Sequence, residues 1–125
     1  MKFGTLDYYK MYADVLNKDA EFQKNGSKLT TTFLFVFEDL NNADGSPKAF
    51  LLDIVNGKVT AVEANAYQKV DFSTTANYAM QASIAKGEIP ATNAKTKFDM
   101  RKGIMNMKPL QRIGNLSKEL KDVEY

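Results

Sequence analysis

The side chains that most often perform chemistry in proteins are missing from this sequence. Its 125 residues include no cysteine and no histidine. No disulfide, thiolate nucleophile or thiolate metal site can therefore form. The usual general base near neutral pH, and the commonest metal ligand, go with histidine. Carboxylates, lysines, tyrosines and hydroxyls remain. Glu38-Asp39 is the obvious acid pair, but neighbours on a strand point to opposite faces. They suit the end of a strand better than shared proton transfer. Asp71 suits a helix cap, and Asp99 with Arg101 suits an exposed ion pair of little worth. Lys95, Lys97, Arg101 and Lys102 could draw an anion, yet no nucleophile with its base accompanies them. The seven glycines stand singly in turns without a phosphate loop, and no calcium-loop spacing occurs. No catalytic residue, metal ligand or cofactor is assigned.

Charge and composition narrow the partners. A chain 44% hydrophobic and 26% charged has the balance of one ordinary globular domain. The net charge of +2 is uneven: residues 1–85 carry −2, residues 86–121 carry +6, and the last four residues −2. Such asymmetry fits transient contact with an anionic membrane surface, or simply a solvated basic face. With two arginines and no interleaved aromatics, a nucleic-acid partner is not expected. Residues 1–5 enter a polar, aromatic stretch without an apolar signal core, so a cytoplasmic location is expected.

The elements that would position any site follow from periodicity. Thr5 is placed to cap a helix whose Leu6, Tyr9, Ala13, Leu16 and Ala20 share one face. Asn25-Gly26 stops that segment, which forms either one helix or two, with residues 19–24 separate. Residues 30–37 form a strand with Phe33, Phe35 and Phe37 on one face and Leu34 and Val36 on the other. Apolar on both faces, it belongs in the middle of a sheet; its exposed apolar surface would also suit a homodimer. Runs 49–55 and 58–64 flank Asn56-Gly57 and predict a hairpin with a type I′ turn. A helix is predicted over about residues 74–86, capped by Asp71 or Ser73 and ended by Gly87. Alternation over residues 95–101 predicts a half-buried strand. Pro109 suits the first turn of a last helix with Leu110, Ile113, Leu116 and Leu120 as its apolar stripe.

Near that last turn, Met100, Met105 and Met107 gather beside Phe98, Ile104 and Leu110. Flexible methionines suit adaptable apolar surfaces, although they also fill ordinary cores. The wording of the elements adds to this. It runs Phe35-Val36-Phe37, then residues 50–59 (Phe-Leu-Leu-Asp-Ile-Val-Asn-Gly-Lys-Val), Val70-Asp71-Phe72-Ser73-Thr74, Ile84-Ala85-Lys86-Gly87, Ala94 and Lys97-Phe98-Asp99-Met100. Over about residues 28–120 the chain resembles the sterol carrier protein 2 family of lipid-binding domains. The resemblance implies an α+β fold: a mixed, mostly antiparallel sheet of about five strands, covered by helices, with an apolar tunnel between. It implies non-catalytic carriage of a fatty acid, acyl-CoA, sterol or similar apolar molecule. Phe35, Phe37, Leu52, Met80, Ile84, Phe98, Met100, Met105, Leu110 and Ile113 would line the tunnel. Lys102 and Lys108 would meet an anionic headgroup at its mouth. The rival expectations are an accessory or interaction module of the same fold with a closed core, and an enzyme built only on carboxylates, lysine or tyrosine.

Overall fold

A computed structural model describes residues 1–98 and 108–125, Phe98 through its backbone alone. In chain order it contains helices α1 (Leu6–Lys18) and α2 (Ala20–Gly26) and strands β1 (Thr31–Asn41), β2 (Pro47–Val55), β3 (Lys58–Asn65) and β4 (Phe72–Ala76). Helix α3 (Tyr78–Lys86), strand β5 (Lys95–Phe98) and helix α4 (Lys108–Leu116) follow. Thr5 caps α1, its hydroxyl accepting from the Tyr8 amide at 3.3 Å. Asp19 takes extended geometry, breaks the helical run, and accepts from the Phe22 amide at 2.8 Å to start α2. The first segment is thus two helices, because a short polar side chain at residue 19 satisfies a fresh set of amides.

The five strands are ordered β3-β2-β1-β4-β5, antiparallel except for β1 beside β4. Asn56 and Gly57 adopt φ of 48° and 80°, the left-handed pair that joins β2 to β3 in two residues. A Cβ at Gly57 would stand 2.7 Å from the Gly26 carbonyl oxygen, so the hairpin also needs glycine for close approach. Strand β1 is central, in keeping with its two apolar faces. On one face Phe37, together with Phe50, Leu52 and Ile54 of β2, is buried against Tyr9, Tyr12 and Leu16 of α1 and Phe22 of α2. On the other face Leu34, Val36, Ala49 and Leu51 are buried under Ala66 and Val70 of the β3–β4 connection. This strand's second face is covered by its own chain, so it supplies no reason for a second copy.

Two expectations fail around β4. Residues 74–76 are strand rather than the start of a helix, because Thr74 and Thr75 are β-branched and complete a parallel ladder with Phe35 and Val36. Neither Asp71 nor Ser73 caps α3. Asn77 does, accepting from the Met80 amide at 2.8 Å. Asp71 instead accepts from the Thr31 hydroxyl at 3.0 Å, and its amide donates to the Thr32 hydroxyl at 2.9 Å, tying the entry of β4 to β1. Gly87 ends α3 with φ 80°, as its position predicts. Glu38 and Asp39 do not end β1, which continues to Asn41 through a register irregularity. Glu38 lies 3.3 Å from Lys95, and Asp39 accepts from the Tyr78 amide at 2.8 Å. The Asp99–Arg101 pair lies outside the described residues.

Candidate functional site

The register sets out the floor of a cavity. Phe33 pairs with Phe72 and Phe35 with Thr74 across β1 and β4, and Thr74 pairs with Thr96 of β5. Paired residues share a face, so these five side chains lie on the helix-covered side of the sheet. The Phe33 and Phe72 rings stack at 4.8 Å with 12° between their planes. Phe33 and Phe35 are only half-buried, whereas Phe37 on the same strand face is fully buried. The reason lies above them. Helix α1 sets Tyr9 against Phe35 and Phe50, with ring centroids 5.0 and 4.9 Å away. Over β4 and β5 the roof comes from Gln81, Ile84 and Ala85 of α3, Ile89 and Pro90 after it, and Leu110, Ile113 and Gly114 of α4. Alanine and glycine at two of these positions leave space that leucine would fill. The resulting cavity measures about 570 Å³, and no Asp or Glu occurs among its described lining residues.

Polar contacts hold this roof in place. The Tyr12 hydroxyl donates to the Ile113 carbonyl, fastening α1 to α4. Arg112 donates from Nε and Nη2 to the two carboxylate oxygens of Asp19, at 2.8 and 2.7 Å, and from Nη1 to Glu119 at 2.5 Å. That two-pronged contact matches guanidinium and carboxylate geometry, and it holds the Asp19 carboxyl below its ordinary range. Gln81, 3% exposed, donates its side-chain amide to Val36 O and Thr74 O at 3.0 Å each, pinning α3 to β1 and β4. Burial raises the Tyr9 and Tyr12 hydroxyls well above the ordinary tyrosine range, so both stay neutral.

Of the residues assigned to a tunnel, Phe35, Ile84, Leu110 and Ile113 line this cavity together. Phe37 and Leu52 do not line it. They are fully buried in the core, Phe37 between Phe3 and Tyr78, and Leu52 in β2 among the residues beneath α1. Met80 is half-buried on α3, next to Gln81 in sequence, and also falls outside the lining. Phe98 continues β5 opposite Phe72 in the backbone; its side chain, with Met100, Lys102 and Met105, lies outside the described residues. Lys108 is exposed at the start of α4 and is not a lining residue. Several liners had no place in the sequence-based set: Tyr9, Tyr12, Phe33, Phe72, Thr74 and Gln81. Tyr9 and Phe33 carried a usable signal, since each shares a predicted apolar face. Phe72 and Thr74 were hidden by the misplaced start of α3, and Gln81 had no apolar signature at all.

No protein-family model matches the chain, and no curated protein sequence matches it. Its likeness is to solved folds. A crystal structure of sterol carrier protein 2 superposes with a TM-score of 0.73 at 16% identity, over 93% of this chain and 97% of the other. The sterol carrier protein domain 2 of Helicoverpa armigera gives 0.62 at 15% identity, over 93% and 89%. A stereoselective inverting sec-alkylsulfatase from a Pseudomonas species gives 0.54 at 20% identity; the match covers 86% of this chain but 16% of the enzyme. Element order, mixed sheet and helical cover agree over nearly the whole of the first two chains, and on that ground the protein has the sterol carrier protein 2 fold.

Proposed function

We propose that this protein binds a lipid or other apolar small molecule in the cavity between β1–β4–β5 and helices α1, α3 and α4, and carries it chemically unchanged. The observation that carries the reading is the cavity itself: about 570 Å³, floored by Phe33, Phe35 and Phe72 and roofed by Ile84, Leu110 and Ile113. Ligand sites for small molecules are concave, mainly apolar and roughly 300–1,000 Å³ in volume, with a few placed polar groups. A core closed by its own side chains, the alternative for an accessory module, would not leave half-buried rings around such a space. Solved structures of the same fold bear the name sterol carrier protein, which agrees with this choice. Lys118, a lining residue, joins Lys102 and Lys108 as a proposed partner for an anionic headgroup. Phe98, Met100 and Met105 stay within the proposal as further apolar contacts. No cofactor is required. A cytoplasmic location is part of this proposal; separately, no helix among the described residues is long and apolar enough to cross a membrane.

Native mass spectrometry of protein purified from cells, with organic extraction of what accompanies it, tests the reading. A co-purifying lipid near one per chain is the expected result. A clean unliganded mass, together with no uptake of a fluorescent fatty acid, would overturn it.

A further inference from the structure

Two polar side chains in the cavity wall have hydrogen-bonding capacity that the described protein does not use. Gln81 is 3% exposed, and both hydrogens of its amide nitrogen are committed, to Val36 O and Thr74 O. Those two donations fix which end of the amide is nitrogen, so the Oε1 acceptor has a settled orientation. Among the described residues Oε1 receives no donor. Tyr9 is 2% exposed, and its hydroxyl likewise has no hydrogen-bond partner among the described residues. Yet no fully enclosed side-chain oxygen or nitrogen among these residues lacks a partner. Neither oxygen is therefore sealed away without a partner, and both residues line the cavity. They also sit at one level of the sheet. Tyr9 lies over Phe35, Gln81 bonds Thr74 O, and Phe35 and Thr74 are register partners.

From this geometry we infer that Gln81 Oε1 and the Tyr9 hydroxyl form a polar anchor inside an otherwise apolar cavity, selecting ligands whose inner part carries an uncharged hydrogen-bond donor. The assignment rests on the ligand-binding reading above and names its ligand class: an apolar molecule bearing a hydroxyl or amide N–H. Gln81 accepts the ligand's hydrogen. Tyr9, held neutral by burial, donates to the ligand's oxygen. A carboxylate has no hydrogen for Gln81 and would set charge against a fixed carbonyl dipole, so it is disfavoured at this spot. An anionic end, where a ligand has one, belongs at the mouth.

Binding of two uncharged isomers, 1-dodecanol and 1-methoxyundecane, separates the possibilities, because only the alcohol can donate. Competition against a fluorescent apolar probe should show wild-type protein preferring the alcohol by about tenfold, the scale of one hydrogen bond to an otherwise unpaired group. Gln81→Leu should abolish that preference while still binding both isomers. Tyr9→Phe, which keeps the ring packing, should weaken both isomers and leave their ratio intact. Thermal melts report whether each variant folds; if Gln81→Leu does not, the wild-type ratio and Tyr9→Phe still decide. Equal affinity of wild type for both isomers would overturn the anchor and leave the carrier reading standing. Binding of neither would overturn both.

Discussion

The two halves of one sheet are built to opposite ends. Above β2 and the far end of β1, Tyr9, Leu16 and Phe22 close tightly on Phe37, Phe50, Leu52 and Ile54, all nearly inaccessible to solvent. Above β4 and β5 the strands present Phe72, Thr74 and Thr96 to a roof that includes Ala85 and Gly114, and a cavity remains. The difference teaches where stability resides and where the proposed binding would take place. Large rings over β-branched and aromatic neighbours bury the most area, so the first half supplies the free energy that lets the second half forgo close packing.

The comparison predicts unequal responses to substitution. The largest stability loss should follow Phe50→Ala, which removes a ring 1% exposed and stacked on Tyr9. About 3–5 kcal/mol is expected from urea unfolding, and a loss below about 1 kcal/mol would show that this half is not the stabilising one. Gly57→Ala comes next, at about 2–3 kcal/mol. The new methyl meets the Gly26 carbonyl and a left-handed backbone, and the midpoint of thermal unfolding should fall accordingly. Arg112→Ala should cost about 2 kcal/mol by removing charged hydrogen bonds to Asp19 and Glu119. Because Arg112 lowers the Asp19 carboxyl in the folded state, that contribution is present above the unfolded carboxylate value of about 3.9 and is lost as pH falls through the folded value. The variant should accordingly show a flatter acid limb when stability is measured against pH. The smallest stability change, about 1 kcal/mol at the low end of the overpacking range, should follow Ile84→Trp, because the cavity can take the added ring. Filling the open half should instead abolish uptake of a fluorescent fatty acid.

Much of the packed half could be read from sequence because its signals are local. Asn56-Gly57 between alternating runs specifies β2 and β3, Thr5 announces α1, and the two apolar faces of residues 30–37 place β1 centrally. The open half depends on longer-range contacts. Strand β4 exists through its parallel ladder with β1, where Phe72 pairs with Phe33 across 39 residues of sequence (72 − 33); in sequence, Ala76 falls in step with Ala79 and Met80 of α3 and so reads as part of the same helix face. The cavity is less legible still. Phe35 and Phe37 are equivalent in a strand pattern, yet one lines the cavity and the other is sealed by Phe3 and Tyr78. Only the tertiary path of the N-terminal residues separates them. Gln81 illustrates the limit: its role depends on two carbonyls that belong to different strands.

The most direct test of the division is an amide-resolved NMR titration of the wild-type protein with 1-dodecanol. The account predicts saturable shifts at Gln81, Ile84 and Ala85 of α3 and at Leu110–Gly114 of α4, with Leu52, Ile54 and Val59 nearly silent. Shifts concentrated on the opposite sheet face, around Leu51 and Val62, or a uniform absence of shifts at saturating probe, would contradict it.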